Sequence, residues 1–141
     1  MNIKMTNISG VKLIPIHTVV AERGDLSAIE LPEVIPFKVK RIFLVHNVSN
    51  LEVRGEHAHK LCWQFLIAAS GSITVDVNDG NVKNTYVLDS RDKGLLIPPM
   101  IWGVQYNYSK DGSLLVLASH KFDSKDYIHD YNEFLELKQI T

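Results

Sequence analysis

The chain has 141 residues, 45% hydrophobic and 22% charged, which suits one globular domain with a buried core. Its 15 Lys and Arg residues nearly balance 16 Asp and Glu residues, so a net charge of -1 gives no overall attraction for nucleic acid or an anionic membrane. The single cysteine, Cys62, excludes an internal disulfide and a cysteine-based zinc cluster, and its apolar neighbours indicate a buried, unreactive thiol.

The N-terminal stretch "MNIKMTNISGVKLIPI" contains no long apolar core followed by a small-residue cleavage site. Later segments also fall short of the length needed to cross a bilayer. The sequence therefore predicts a cytoplasmic protein that does not contact a membrane.

Short runs rich in β-branched and aromatic residues fill most of the chain, separated by Gly, Asn, Asp and Ser. In chain order the predicted strands lie in "VKLIPI", "LSAIEL", "FKVKRIFLVHNV", "CWQFLIAA", "SITVDV", "NTYVL", "GLLIPP", "WGVQYNY" and "LLVLAS". Within "VNDGN", Asp79 and Gly80 predict a tight hairpin turn. Many short strands with little helix between them indicate an antiparallel sandwich or barrel.

The C-terminal segment has a different period. In "DYNEFLELK", Tyr131, Phe134 and Leu135 stand at positions i, i+3 and i+4, which predicts an amphipathic helix from about residue 124 to residue 138. We expect this helix to pack on the barrel as a lid. The chain shows no repeat or linker, so residues 1–141 are predicted to form a single domain.

The stretch "VRGEHAHKLCWQF" places His57 and His59 one residue apart. On a β-strand both side chains point to the same face, with α-carbons about 6 to 7 Å apart. Two imidazoles directed at one spot suggest a metal site or a pair of proton-transfer groups. Core packing explains the pair less well, because burying it together with Arg54, Glu56 and Lys60 is costly.

"RGEHAHK" and "IPPMIW" resemble the two sequence motifs of the cupin β-barrel superfamily. In metal-binding cupins these motifs supply two His and a Glu, and then a third His. Here the Glu position falls at Trp63 or Gln64, and the third His position is Gly103. The resemblance implies a cupin-type antiparallel jelly-roll barrel. A catalytic zinc or iron site needs three His or carboxylate ligands, so we expect this barrel to hold no metal or other cofactor.

The chain more specifically resembles the WxcM-like nucleotide-sugar 3,4-ketoisomerases, which are cupins that work without a metal. The resemblance runs from Arg23 to Phe134 and is carried by "RGDLSAIE", "PFKVKRIFLV", "RGEHAHK", "NDG", "IPPMIW", "LLVLAS" and "DYIHDYNEF". It implies a substrate of the dTDP-4-keto-6-deoxy-D-glucose type and a 3-keto product used for surface polysaccharide such as lipopolysaccharide O-antigen. It also implies a homodimer in which N-terminal strands exchange.

Two imidazoles suit this isomerisation because imidazole accepts and donates protons near neutral pH. We assign His59 as the base at carbon and His57 as its partner at the oxygens or at C4, with the order left open. Some relatives carry Tyr where Phe43 stands and His where Gly103 stands. Tyr106 lies on the same predicted strand as Gly103 and is a candidate for the proton donor that replaces them.

The pyrophosphate of a nucleotide-sugar requires Arg or Lys. Arg54 is the first candidate and Arg23 the second, whereas Lys60, Lys40 and Arg41 are weaker. Glu30 is a candidate for orienting a histidine, and Trp63 is expected in the core. The predicted substrate-binding residues are Arg54, Arg23, Tyr106, Gln64 (for sugar hydroxyls), Trp102 (as a flat apolar surface) and Lys60.

Three other functions are consistent with the sequence. The first is a metal-dependent cupin enzyme. The second is a nucleotide-sugar 3,5-epimerase, which also uses a barrel with a His base and a Tyr acid. The third is a cupin that binds a sugar without turning it over.

Overall fold

The computed structural model of the protein describes residues 8–140. Its strands are β1 (Lys12–Pro15), β2 (His17–Val19), β3 (Leu26–Ala28), β4 (Arg41–His46), β5 (Arg54–His59), β6 (Gln64–Ser70), β7 (Ile73–Asn78), β8 (Lys83–Leu88), β9 (Lys93–Ile97), β10 (Trp102–Tyr106), β11 (Ser113–Ala118) and β12 (Tyr127–Ile128). A 3₁₀ turn spans Ser124–Asp126, and one helix, α1, spans Tyr131–Ile140.

Two five-stranded antiparallel sheets form the body of the fold. The first has the strand order β1-β9-β6-β11-β4 and the second β12-β5-β10-β7-β8, while β2 and β3 form a separate hairpin. The sheets pack face to face over a core that includes Leu66, Ala68, Val75, Leu95 and Leu114. The all-β prediction is thus confirmed as a jelly-roll sandwich, and the two sheets of the described part of the chain do not join into a closed barrel.

Side-chain alternation explains how the first sheet is layered. On β4, Phe43 and Val45 pack toward the core between the sheets, whereas Ile42 and Leu44 are exposed on the outer face. The outer face of β6 is instead buried, because Phe65 and its neighbours are covered by the chain that leads into β4. This sheet consequently has one covered and one bare region on its outer side.

The predicted hairpin turn joins β7 to β8. The Oδ1 atom of Asp79 accepts hydrogen bonds from the backbone N–H groups of Asn81 and Val82, both at 2.8 Å. Gly80 has a φ of +101°, a conformation that few other residues adopt without strain. The turn chemistry read from "VNDGN" is confirmed.

The predicted start of the C-terminal helix was wrong. Helix α1 begins at Tyr131, not near residue 124, because Asp130 caps it by accepting hydrogen bonds from the N–H groups of Asn132 and Glu133 at 2.8 and 3.2 Å. The residues before the cap form the 3₁₀ turn and β12, which pairs with β5. The helix packs through Phe134 on the outer face of the second sheet. In the described residues, no helix combines the length and apolar character that crossing a bilayer requires.

Candidate active site

Strand β5 begins with an irregular turn and then becomes regular. Gly55 and Glu56 have φ angles of +83° and +53°, and the pairing of β5 with β10 shifts register at this point. A side chain at Gly55 would also bring a Cβ to 3.0 Å from the backbone oxygen of Gly103. Beyond this bulge His57 and His59 share one face, with ring centroids 4.9 Å apart and planes at 87°. The predicted placement of the two imidazoles side by side is confirmed.

Both imidazoles line a narrow cavity of about 20 Å³ that is partly open to solvent. Gln64, Gln105 and Cys62 add polar groups to its wall, and aliphatic side chains make up much of the remaining lining. The lining residues are Gly55, His57, His59, Cys62, Gln64, Val75, Ile97, Pro98, Ile101, Gly103 and Gln105. The cavity therefore presents two imidazoles and two amides to a ligand against an apolar wall.

Each imidazole is held through its Nδ1 atom. His57 Nδ1 donates to the carbonyl oxygen of Gly55 at 2.9 Å, and His59 Nδ1 donates to Oδ2 of Asp126 at 2.9 Å. Because both acceptors can only accept, the neutral rings carry their proton on Nδ1 and a lone pair on Nε2. The Nε2 atom of His59 is buried without a hydrogen-bond partner in the described structure. This geometry leaves a proton acceptor, unpartnered among the described residues, on a residue that lines the cavity.

Burial keeps both imidazoles neutral at pH 7. It lowers the pKa of His57 from 6.5 to about 4, with the Gly55 carbonyl opposing this shift and the charges of His59 and His129 adding to it. Burial likewise lowers the pKa of His59, although Asp126 raises it through a hydrogen bond and its charge. Both rings are thus ready to accept a proton at neutral pH.

Asp126 is ionised in this arrangement. Burial raises its pKa, but the hydrogen bonds from the N–H group of Leu61 and from His59 outweigh burial, so the pKa lies below its ordinary value. Its side chain is about 10% exposed.

Three residues that lie near the histidines were not predicted as site residues from the sequence. Besides Asp126, the Tyr127 ring lies 4.9 Å from His57 and 4.4 Å from His59, and His129 lies 5.8 Å from His57 and stacks on Tyr127. All three come from "DYIHD", which was assigned to the helix. The pairing of Tyr127 with His59 across β12 and β5 brings them here.

Arg41, one of the weaker candidate cations in the sequence, lies near the histidines. It shares the inward face of β4 with Phe43, its guanidinium lies 5.2 Å from the Phe43 ring and 5.7 Å from the Phe122 ring, and its charge lowers the pKa of His59. Its Nε atom is buried and has no hydrogen-bond partner within the described chain. The alternation of Arg41, Phe43 and Val45 was the signal that could have placed it.

Of the predicted substrate-binding residues, one lines the cavity and a second neighbours a lining residue. Gln64 lines it. Arg54 is exposed at the start of β5 and pairs with Gln105, a lining residue. The Arg54 charge also acts on Tyr108, whose pKa burial raises to about 12, and Tyr108 donates a hydrogen bond to Gln105 at 3.0 Å. Arg54 is therefore a neighbour of the cavity wall.

The expected positions of Tyr106 and Trp102 were wrong. Side chains on β10 alternate, and Gly103 and Gln105 line the cavity, so Trp102 and Tyr106 project from the other face. The Tyr106 hydroxyl donates to Asp76 at 3.1 Å, and the Trp102 ring packs on Tyr131 at 5.2 Å. Neither side chain contacts the histidine cavity.

The remaining candidates also lie elsewhere. Arg23 is exposed in the loop between β2 and β3, and the Lys60 side chain is exposed just after β5. Lys40 and Glu30 do not line the cavity either. Trp63 packs against Phe37, with ring centroids 6.3 Å apart, in the core under the outer face of the first sheet, as predicted.

The fold and the site together define a cupin-like jelly-roll protein with paired, neutral imidazoles in a cavity. The family model described as "FdtA: WxcM-like, C-terminal" matches residues 9–139, and the chain belongs to this family. The predicted family and the isomerase class are confirmed.

Relatives with stated activities support this membership. A TDP-4-oxo-6-deoxy-alpha-D-glucose-3,4-oxoisomerase of Aneurinibacillus thermoaerophilus is 38% identical over 123 residues, which cover 87% of this chain and 88% of that protein. QdtA, a sugar 3,4-ketoisomerase from Thermoanaerobacterium thermosaccharolyticum solved in complex with TDP, superposes with a TM-score of 0.92 at 30% identity and covers 95% of this chain and 98% of its own. WlaRA, a TDP-fucose-3,4-ketoisomerase from Campylobacter jejuni, gives a TM-score of 0.85 at 36% identity, covering 91% and 95%.

Proposed function

We propose that this protein is a sugar 3,4-ketoisomerase that converts TDP-4-keto-6-deoxyglucose into its 3-keto isomer by acid–base transfer between His57, His59 and the sugar. The observation that carries the proposal is the pair of imidazoles whose Nε2 lone pairs are available in one cavity. The 38% identical oxoisomerase supports the choice of reaction and substrate.

The chemistry requires two kinds of proton transfer. The proton on C3 leaves as the C3=C4 enediol forms and a proton then arrives at C4, while the hydroxyl proton moves from O3 to O4. Neutral imidazole can accept protons in both processes and return them, so the reaction needs no redox cofactor. In the proposed reaction the Gln64 and Gln105 amides, which line the cavity, hydrogen-bond sugar oxygens during these steps.

A metal ion, which many cupins hold, would need about three His or carboxylate ligands converging from the cavity wall. The ligand atoms of His59, Cys62 and Asp126 lie within 4.8 Å of one another. Asp126, however, already accepts hydrogen bonds on both carboxylate oxygens, from Leu61 and from His59 Nδ1. Among the described residues that line the cavity there is no carboxylate. The donors do not fit a metal site, so the proposed reaction uses none.

The pyrophosphate would be bound at the cavity mouth by cationic side chains. Arg54 is the first candidate because it neighbours Gln105, and Arg41 joins it because its guanidinium lies near His59. Arg23 and Lys60 stay candidates at longer range, since both side chains are exposed.

The proposed enzyme is a cytoplasmic homodimer that supplies deoxysugar for O-antigen or a similar glycan. Support for association comes from Ile42 and Leu44, which are exposed next to each other on the outer face of β4, and from Leu26 on the β2–β3 hairpin. In a single chain β1 pairs with β9. An exchange of N-terminal strands would make the same pairing between two chains.

Proton NMR of the reaction in heavy water tests the function. We expect TDP-4-keto-6-deoxyglucose to yield a 3-keto sugar, with solvent deuterium entering at C3 or C4. Deuterium at C5 would indicate an epimerase, and binding without turnover would indicate a sugar-binding protein. Stoichiometric metal in protein purified without chelator, with activity lost on its removal, would contradict the metal-free mechanism.

A further inference from the structure

The two imidazoles differ in the group that accepts a hydrogen bond from their Nδ1 atom. His57 Nδ1 donates to a backbone carbonyl, that of Gly55, whereas His59 Nδ1 donates to the carboxylate of Asp126. A carbonyl fixes the tautomer of the ring but carries no charge. A carboxylate fixes the tautomer and also stabilises the imidazolium that forms when Nε2 accepts a proton.

Asp126 is held in place by the backbone that directly follows His59. Its Oδ1 atom accepts from the N–H group of Leu61 at 2.7 Å, and its own carbonyl accepts from the N–H group of Lys60 at 2.9 Å. The next residue, Tyr127, pairs with His59 across β12 and β5. These contacts leave the second carboxylate oxygen directed at His59 Nδ1.

The other charged or titratable groups around His59 oppose a positive ring. Arg41 on β4 and His129 after β12 both disfavour the imidazolium of His59, and His57 stands 4.9 Å away on the same strand. Cys62 and the Tyr127 ring complete the surroundings. Asp126 is thus the carboxylate in the described structure that offsets them.

We propose that Asp126 is a positioning residue that makes His59, rather than His57, the imidazole that carries the carbon-bound proton. This inference rests on the proposed function and deepens it. The C3–H bond breaks, its electrons form the C3=C4 bond of the enediol while the C4=O4 π electrons move to O4, and the proton binds His59 Nε2. The O3 proton passes to O4 by way of His57 Nε2. His59 then returns its proton to C4 as the C3=O3 carbonyl forms, so protons and electrons balance.

The test is Asp126→Asn, with Asp123→Asn as the matched control. Asp123 caps the same 3₁₀ turn by accepting from the N–H group of Lys125 at 3.0 Å but does not contact His59. We expect Asp126→Asn to lower kcat by about 100-fold or more with KM little changed, because an amide cannot stabilise the charged ring. Asp123→Asn should keep kcat within about 2-fold.

The pH profile separates this role from a merely structural one. Because Asp126 raises the pKa of His59, its loss should move the acidic limb of kcat/KM to lower pH while the plateau falls. Asp126→Glu, which keeps a carboxylate, should restore part of kcat and move the limb back toward that of the wild type. An unchanged kcat, or a loss of kcat shared by Asp123→Asn with no movement of the limb, would overturn the proposal.

A measurement independent of turnover distinguishes this proposal from the proposed function. NMR titration of the imidazole nitrogens should show a lower pKa for His59 in Asp126→Asn and no comparable change for His57. If Asp126→Asn does not fold, the same titration in Asp126→Glu should show a smaller shift confined to His59. If the pKa of His59 is the same with and without the carboxylate, the inference is overturned. If the pKa of His59 falls as expected but the wild-type protein does not turn over the sugar, only the proposed function is overturned.

Discussion

The second sheet carries a polar cluster on each face. In the outer cluster the polar groups hydrogen-bond to one another, whereas in the inner cluster one buried acceptor has no partner among the residues that the structure describes. On the outer face, Asp76 accepts hydrogen bonds from Thr85 at 2.7 Å and Tyr106 at 3.1 Å, and Lys83 lies 3.3 Å away. On the inner face, His59 has one partner, and its Nε2 atom has none in the described chain.

This difference indicates that the outer cluster stabilises the fold, whereas the inner cluster is available for chemistry on a ligand. A closed set of hydrogen bonds repays the burial of its polar members and leaves nothing to offer a ligand. A buried acceptor without a partner destabilises the fold until something binds it, which is typical of a site. We therefore expect substitutions on the inner face to change turnover and substitutions on the outer face to change stability.

The largest expected effect follows from removing the inner acceptor. His59→Asn replaces the ring that we assign to the carbon-bound proton, and kcat should fall by about 1,000-fold or more. Initial rates measured by NMR on TDP-4-keto-6-deoxyglucose would check this. Circular dichroism and thermal unfolding should show that the fold is retained. Turnover within 10-fold of the wild type would remove His59 from the proposed mechanism.

The pH dependence of stability tests the neutral state of the inner cluster. His57 has a pKa of about 4 in the folded chain and about 6.5 when unfolded, so the unfolded state binds more protons between these values. The contribution of the neutral His57 ring to the free energy of unfolding should be fully present above pH 6.5 and fall as the pH drops toward 4. Between pH 7.5 and 5 the loss from this one ring should be about 2 kcal/mol. Urea unfolding at both pH values measures the loss.

His57→Asn is the control for that measurement. It removes the titrating ring, so the free energy of unfolding should depend less steeply on pH than in the wild type. An equal slope in both proteins would mean that the His57 ring is not held neutral by burial.

A smaller effect is expected at the mouth of the cavity. Arg54→Ala should raise KM by roughly 10-fold with kcat nearly unchanged, because a contact with the pyrophosphate is made equally in the ground state and the transition state. Arg91→Ala is a matched control, since Arg91 lies on the first sheet's outer side and bonds the carbonyl of Ala69. Identical KM values for the two variants would exclude Arg54 from substrate binding.

From the sequence, the site on the inner face could be predicted only for residues that are close together along the chain. His57 and His59 are two residues apart, so the strand period alone places them together. Tyr106 stands three residues from Gly103, an odd separation that puts it on the other face. Asp126 lies 67 positions from His59, and only the pairing of β12 with β5 unites them. The helical spacing of Tyr131 and Phe134 made the preceding residues look helical and hid that pairing.

The smallest expected effect is on the outer face, where a substitution should change stability and leave turnover unchanged. Tyr106→Phe removes the hydroxyl that donates to Asp76 but leaves the ring in place, so stability should fall by about 1 kcal/mol. Thr85 and Lys83 still contact Asp76, which keeps the loss small. Turnover should stay within about 2-fold of the wild type, because the ring projects away from the histidine cavity. A large loss of kcat with little change in stability would show that the two faces are coupled and that Tyr106 acts in the reaction after all.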